Sequence, residues 1–225
     1  MMRRYPTGCG SIDDMLNGGI ESGIVTQIYG ESASGKTNLC LQFARTTLES
    51  DPSGRVVYVD CEGLSGDRLG SIMEHREDLE SRLMIFPCLS LEEQVRTVED
   101  LKKLVEKVNI LAIIVDSITV FYRKDVNTDC DGMARKMLNS MLVNLLALAR
   151  RRDIPVLITN QIYTEPETGS NLPLGGNVIA HNTKAVIELS RKAHAYRTAR
   201  LAHHRSIREN TEARFIITDR GLSPA

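Results

Sequence analysis

The feature that most constrains the fold is a set of short apolar runs that alternate with longer segments of helical periodicity. ILAIIVDS (110–117) is the clearest of these runs, with six consecutive apolar residues. A strand of this kind is buried on both faces, and such strands belong to parallel sheets covered by helices on both sides. We therefore predict an α/β fold. The predicted strands span 25–29, 55–61, 82–87, 110–117 and 154–161, and the predicted helices span 36–49, 67–79, 91–108 and 132–152.

The C-terminal part of the chain has a different pattern. Residues 164–178 are rich in Gly, Pro, Asn and Ser, which is typical of a mobile loop. Three runs of strand character follow at 185–191, 197–205 and 213–219, and their spacing predicts antiparallel hairpins at the C-terminal edge of the sheet. No linker, repeat or low-complexity segment is visible, so we expect residues 1–225 to form a single domain.

Charge and cysteine content exclude several classes of protein. The 28 Lys and Arg residues nearly balance 29 Asp and Glu, so binding to nucleic acid would depend on a local patch. The five cysteines are odd in number and show no C-x-x-C spacing, which argues against a disulfide framework or a zinc site. No stretch of 18 apolar residues and no secretory signal is present. These features predict a cytoplasmic protein without a membrane partner.

The octapeptide GESASGKT (30–37) follows the first apolar run and begins the first helical segment. It fits the full P-loop pattern, in which the glycines let backbone N–H groups face phosphate oxygens. Lys36 is expected to reach the β and γ phosphates, and the Thr37 hydroxyl is expected to ligate Mg²⁺. The alternative is a surface turn that happens to carry a lysine. The predicted nucleotide-binding residues are Gly30, Glu31, Ser32, Ala33, Ser34, Gly35, Lys36, Thr37 and Asn38.

Other polar residues follow the predicted strands at the sheet edge where ligands bind in α/β proteins. Asp116 ends ILAIIVD and could hold Mg²⁺, or it could simply cap a helix. Glu62 follows VVYVDC and could activate water, although Asp60 is a rival for that role and an ordinary exposed acid is the simpler alternative. Gln161 ends IPVLITNQ and could sense the γ phosphate, or it could be a loop amide without a partner.

The motifs, in this order, resemble the RecA/RadA recombinase family, and most of all its archaeal RadB-type paralogues, which have a RadA-like core alone. The combination of VDS, ITNQ and GGNVIAH is more specific than the P-loop. The resemblance implies a RecA-like P-loop NTPase core that binds ATP and Mg²⁺, with a mostly parallel sheet flanked by helices and an antiparallel C-terminal edge. The segments that carry it are 7–37, 58–63, 115–123, 134–137, 158–162 and 174–181.

The same resemblance implies a role for individual residues. Glu62 would be the catalytic glutamate, assisted by Lys36, and Gln161 would sense the γ phosphate. Arg68, in GDRL, would stack on the adenine. Residues 164–177 would form the second of two DNA-facing loops. The implied DNA-binding residues are Arg123, Lys124, Arg135 and Lys136 at the first loop, and His204 and Arg205 in a basic HHR cluster.

The basic residues have a second interpretation that needs no DNA. Residues 191–208 carry six Arg and Lys side chains and three histidines, which could contact phosphates or could form a solvated hairpin face. The cluster ARRR (149–152) is better explained as the end of a helix, where cations interact favourably with the helix dipole.

Taken together, these features predict an ATP-binding, DNA-binding recombinase paralogue with slow hydrolysis that assists the main RadA-type recombinase. Single-stranded DNA is the expected nucleic acid, and a homo-oligomer is an open alternative. The full recombinases carry an N-terminal DNA-binding domain and a polymerisation motif that we do not find before this core. The first alternative is a nucleotide-gated mediator with little turnover. The second is a signalling ATPase of the circadian-clock type, whose members usually carry paired glutamates where this chain has only Glu62.

Overall fold

A computed structural model describes residues 3–122, 131–164, 171–192 and 196–225. Within these ranges, nine strands form one sheet, and two further strand pairs lie outside it. The strands are β1 (Arg4–Tyr5), β2 (Ile20–Glu21), β3 (Val25–Gly30), β4 (Arg55–Asp60), β5 (Leu83–Pro87), β6 (Ile110–Asp116), β7 (Val156–Asn160), β8 (Ile162–Thr164), β9 (Asn171–Pro173), β10 (Ala185–Arg191), β11 (Arg197–His204), β12 (Glu212–Thr218) and β13 (Gly221–Pro224).

The helix at 91–107 shows how a polar cap and an apolar stripe together define a helix. Ser90 accepts a hydrogen bond from the backbone N–H of Glu93 at 3.2 Å, which caps the helix at 91–107. In this helix Leu91, Val98 and Leu101 are buried, as the 3.6-residue period requires. The helices are α1 (Gly10–Met15), α2 (Lys36–Ser50), α3 (Gly66–Ile72), α4 (Glu77–Glu80), α5 (Leu91–Lys107), α6 (Asp131–Arg152) and α7 (Gly176–Asn182).

The nine-stranded sheet has the order β13-β12-β11-β10-β3-β7-β6-β4-β5. From β10 to β5 all neighbours run parallel, whereas β10, β11, β12 and β13 pair antiparallel. The predicted α/β fold with an antiparallel C-terminal edge is therefore confirmed. Because β3 lies near the centre of the sheet, the loop after it faces the ends of the strands beside it.

Two apolar clusters cover the two faces of the sheet. Side chains alternate along each strand, so Tyr58 and Ile114 join the cluster beneath α1 and α2, while Val59 and Val115 join the cluster beneath α5 and α6. All seven residues of β6 are buried. Each fully buried aliphatic side chain contributes about 1.5–3 kcal/mol, so these strands form a rigid base for the loops at their ends.

Two predicted elements differ from the structure. The helix predicted over 67–79 is interrupted after Ile72, because Glu74 and His75 have positive φ. The N–H of His75 bonds to the carbonyl of Gly70 at 2.9 Å, and that of Glu74 bonds to Ser71, which is the Schellman ending of a helix. The segment predicted as a mobile loop over 164–178 includes β9, paired with β8, and the start of α7.

Candidate nucleotide-binding site

The P-loop motif lies between the end of β3 and the start of α2. A Cβ on Gly30 would lie 2.1 Å from the carbonyl oxygen of Leu189 on β10, so only glycine fits at this position. Gly35 caps α2 with φ of 107°, a left-handed conformation that favours glycine. The glycines therefore allow both the close packing against β10 and the turn into the helix. The 15-residue helix directs its positive end toward the loop.

A cavity of about 460 Å³ lies over this loop. It brings together most of the residues that the sequence predicts, including two from other strand ends. Of the predicted residues, Glu31, Ser34, Asp116 and Arg68 are not among its lining. The lining residues are Gly30, Ser32, Ala33, Gly35, Lys36, Thr37, Asn38, Glu62, Gln161 and Ile162.

Lys36 is folded back onto the P-loop. Its Nζ donates hydrogen bonds to the carbonyl oxygens of Gly30 and Glu31, at 3.0 Å each. Burial lowers the pKa of Lys36, and the neighbouring carboxylates of Glu62 and Asp116 partly oppose that shift. An ammonium group held in the cavity beside a helix N-terminus is well placed to meet an anionic ligand.

Asp116 is a buried carboxylate at the end of β6 that is surrounded by hydroxyl donors. Its Oδ2 accepts hydrogen bonds from Thr37 at 2.8 Å and from Tyr58 at 2.7 Å, and its Oδ1 accepts one from Thr159. Burial raises the pKa of Asp116, and these three donors act in the opposite direction. The Asp116 carboxylate and Thr37 hydroxyl supply hard oxygen ligands, a donor set that fits Mg²⁺ bound with a nucleotide.

Sequence reasoning missed Tyr58 and Thr159. The signal available for Tyr58 was a hydroxyl within the otherwise apolar strand VVYV, and a buried hydroxyl requires a partner. Thr159 lies in ITNQ, the same motif that contains Gln161. Both hydroxyls point to Asp116 because their strands flank β6 in the sheet.

Glu62 and Gln161 meet across the mouth of the cavity. The Gln161 side-chain amide donates to Glu62 Oε1 at 2.9 Å. Asp60, the rival candidate base, has its carboxylate directed to the backbone N–H groups of Glu62, Gly63 and Leu64. The geometry therefore presents Glu62 to the cavity and turns Asp60 away from it.

Gln161 is also tied to the hairpin β8–β9. Its carbonyl accepts a hydrogen bond from the N–H of Leu174 at 3.0 Å, and its own N–H bonds to Thr119 at 3.4 Å. Asn160, the preceding residue, donates to the carbonyl of Leu174 and accepts from Thr119. The position of Gln161 is thus linked to Leu174, which lies near the end of the predicted second DNA-facing loop at 164–177.

Arg68 is held beside the site by three hydrogen bonds. Its Nε donates to Asn38 Oδ1 at 2.7 Å, and its Nη atoms donate to the carbonyls of Thr218 and Asp219 at 2.8 and 2.9 Å. These bonds join α3 to the first turn of α2 and to the end of β12. The adenine-stacking role of Arg68 stays a prediction.

The predicted DNA-binding residues fall into distinct environments. Arg135 and Lys136 are exposed on α6, whereas Arg123 and Lys124 lie outside the described residues. Arg205 bonds to the buried carboxylate of Glu21 and keeps 35% of its side chain exposed.

His204 is buried, with 1% of its side chain exposed. Its Nε2 lies 3.5 Å from Glu21 Oε2, and its Nδ1 accepts from the N–H groups of Ser206 and Ile207. Burial lowers the pKa of His204, although the Glu21 carboxylate opposes this shift. In this conformation the His204 imidazole faces the interior beside Glu21 and not the surface, and its expected DNA contact stays a prediction.

The position of His204 follows from a β-bulge. In the pairing of β10 with β11, Val186 is opposite His203 and Ile187 is opposite Leu201, so Ala202 is an extra residue. An extra residue reverses the alternation of faces beyond it. His203 is consequently exposed and His204 buried.

Two features are absent from the residues that the structure describes. None of the helices in those ranges is long and apolar enough to cross a membrane. Among the same residues, no group of three or more His, Cys, Asp or Glu side chains is arranged to hold a metal ion.

The fold and the site define a class of protein: a RecA-like α/β core with a P-loop between β3 and α2 and a buried carboxylate on a nearby strand. Comparison with known proteins gives the family. The sequence model of the family described as Rad51 matches residues 2–225, and the chain belongs to that family.

Individual relatives are similar over nearly the whole chain. A protein of Methanococcoides burtonii named "DNA repair and recombination protein RadB" is 39% identical, over 96% of this chain and 96% of its own length. The protein of the same name from Archaeoglobus fulgidus is 38% identical, over 97% of each chain. A solved structure described as the RadB recombinase superposes with a TM-score of 0.83 at 35% identity, covering 98% of this chain and 99% of its own.

Proposed function

We propose that this chain is an ATP- and Mg²⁺-binding, DNA-binding recombinase paralogue that acts in homologous recombination and DNA repair and hydrolyses ATP slowly. The observation that carries the proposal is the convergence of the P-loop, Glu62 and Gln161 on one cavity, with Asp116 bonded to Thr37 beneath it. Membership in the Rad51 family and the names of the RadB relatives support the biological role.

Each residue at the cavity has a defined task in this proposal. The P-loop N–H groups and Lys36 bind the phosphates, and Lys36 exchanges its two carbonyl partners for phosphate oxygens. Thr37 and Asp116 hold Mg²⁺, which neutralises charge on the phosphates when bound. Glu62 orients and deprotonates the attacking water.

The contact between Gln161 and Glu62 accounts for slow turnover. A carboxylate oxygen that accepts from an amide at 2.9 Å is partly diverted from a water molecule. Release of this bond, when Gln161 turns to the γ phosphate or its hairpin moves, frees Glu62 as a base. DNA that engages the hairpin would therefore affect the hydrolysis rate.

DNA binding is assigned to local basic residues because the net charge is only −1. We propose that Arg135 and Lys136, exposed near the start of α6, contact phosphates together with Arg123, Lys124 and Arg205. Single-stranded DNA is the proposed ligand, and the main RadA-type recombinase is the proposed protein partner. We also propose that residues 1–225 act as one domain and that the protein works in the cytoplasm.

A second candidate function is a nucleotide-gated mediator that binds the main recombinase with little turnover. The hydrogen bonds that join Asn160 and Gln161 to Leu174 favour it, because they would transmit a change at the cavity to the β8–β9 hairpin. In this case ATP sets the shape of the loop, and the product is a complex.

Calorimetry with ATP and Mg²⁺ tests the site. Lys36→Ala is expected to abolish measurable binding because it removes the ammonium group at the cavity. Lys102→Ala is a matched control, since Lys102 is exposed on α5, away from the P-loop. Unchanged ATP affinity in Lys36→Ala would remove the site assignment for both candidate functions.

A further inference from the structure

The carboxylate of Asp60 holds three consecutive backbone N–H groups in the segment that carries Glu62. Its Oδ1 accepts from Glu62 at 3.2 Å and from Gly63 at 2.9 Å, and its Oδ2 accepts from Leu64 at 2.8 Å. Asp60 is not among the residues that line the cavity. Its side chain therefore serves the backbone beside the cavity.

The segment between β4 and α3 is fixed at both ends. The N–H of Cys61 bonds to the carbonyl of Asp116 at 2.8 Å, and Ser65 caps α3 by accepting from Arg68. Gly63, with φ of 87°, makes the turn between these ends. Among the hydrogen bonds of the described residues, only those to the Asp60 carboxylate hold the N–H groups of Glu62, Gly63 and Leu64.

We propose that Asp60 is a positioning residue that aims Glu62 at the cavity. By holding the backbone of residues 62–64, it sets the direction in which the Glu62 side chain leaves the chain and so maintains its approach to Gln161. This inference rests on the proposed function, in which Glu62 activates water. The same geometry favours Glu62 over Asp60 as the base, because a carboxylate that accepts three N–H bonds away from the cavity is poorly placed to take a proton from water.

A double-mutant cycle tests the proposal. Asp60→Asn removes one acceptor oxygen with little change in volume, and Glu62→Gln removes the base. Asp60→Asn is expected to lower kcat by roughly 10- to 100-fold, as misplacement of a catalytic group does, while ATP affinity and Tm stay close to wild type. In the Glu62→Gln background, Asp60→Asn should have no further effect on turnover, because it acts through Glu62.

Asp51→Asn is the matched control. Asp51 also accepts a backbone N–H, that of Ser53 at 2.8 Å, but in an exposed loop at the far end of α2. The Asp51→Asn substitution should leave kcat unchanged.

Independent, multiplicative losses of kcat from Asp60→Asn and Glu62→Gln would show that Asp60 does not act through Glu62 and would overturn the proposal. A loss of ATP affinity and Tm that matches the loss of kcat would also overturn it, since that result indicates a purely structural role.

Amide hydrogen exchange separates this inference from the proposed function. If the wild-type protein shows no ATP turnover, the proposed hydrolytic function fails, but amide exchange still tests whether Asp60 fixes the backbone of residues 62–64. Faster exchange at Glu62, Gly63 and Leu64 in Asp60→Asn, without change elsewhere in the sheet, supports the positioning role. Unchanged exchange at these three amides overturns it, whatever the turnover.

Discussion

Gln161 donates its side-chain amide to Glu62 across 2.9 Å, which joins the residue after β7 to the loop after β4. The backbone carbonyl of Gln161 at the same time accepts a hydrogen bond from Leu174, the residue directly after β9. A single residue thus contacts both the candidate base and the segment proposed to meet DNA. This arrangement predicts that nucleotide state and loop conformation are coupled.

Removal of the Gln161 side chain should uncouple DNA from hydrolysis. In Gln161→Ala, Glu62 loses its amide partner, and the hairpin, although still bonded to the backbone of residue 161, no longer has a side-chain connection to Glu62. We expect ATP affinity to change little and the effect of single-stranded DNA on turnover to disappear. Steady-state hydrolysis with and without DNA measures this, with Asn109→Ala as an exposed control. Full DNA stimulation in Gln161→Ala would contradict the coupling.

Tyr58→Phe should lower the free energy of unfolding by an amount that depends on the ionisation of the buried Asp116 carboxyl group. Burial raises the pKa of Asp116, so the folded chain binds this proton more tightly than the unfolded chain, and stability falls as pH rises through the two pKa values. Loss of the Tyr58 donor raises the folded pKa further and enlarges that fall. We expect Tyr58→Phe to cost about 1.5–3 kcal/mol at neutral pH and less near about pH 4.

Denaturant unfolding at both pH values measures the Asp116 effect. Thr159→Val should repeat the pattern, because Thr159 donates to the other carboxylate oxygen. Tyr163→Phe, at an exposed position on β8, should cost little at either pH. Equal destabilisation by Tyr58→Phe at the two pH values would show that its effect does not arise from the Asp116 charge.

Substitutions of basic residues in two different environments should lower stability in one case and weaken DNA binding in the other. Arg205 pairs with Glu21, whose side chain is fully buried, so Arg205→Ala is expected to cost about 2 kcal/mol and lower Tm by several degrees. The double variant Arg135→Ala, Lys136→Ala should keep its Tm and weaken DNA binding. If both residues contact phosphates of the single strand, the slope of log K against log salt should decrease by about 1.4.

Fluorescence titration of a labelled single strand at several salt concentrations measures these contacts. Arg151→Ala is the control, because Arg151 is exposed at the opposite end of the same helix α6. An unchanged salt slope in the double variant would remove Arg135 and Lys136 from the proposed interface.

Much of the fold could be predicted because its strands are buried on both faces. The predicted strand at 110–117 and the observed strand Ile110–Asp116 agree to one residue, since a short apolar run rich in β-branched residues is typical of a strand buried on both faces. The helix over 67–79 was wrong because periodicity does not show the left-handed residues Glu74 and His75 that end it. β13 was missed because it has only four residues, which is too short to show a strand pattern.

The candidate site was predictable where a motif fixes the backbone, and less so where side chains meet across strands. GESASGKT located the P-loop because glycine spacing determines its shape. The contacts of Tyr58 and Thr159 with Asp116 depend on strand order, which the sequence does not state. The inward orientation of His204 depends on the bulge at Ala202. The alternation of apolar and polar residues in the sequence does not show where one extra residue is inserted.

The most direct test of the central claim is ATP turnover by the wild-type chain with and without single-stranded DNA, measured beside Glu62→Gln. We predict that DNA raises the rate and that Glu62→Gln loses it while still binding ATP, which would make this a DNA-coupled ATPase with Glu62 as its base. Turnover that stays flat with DNA and is unchanged in Glu62→Gln, despite ATP binding, would contradict the account and favour the nucleotide-gated mediator.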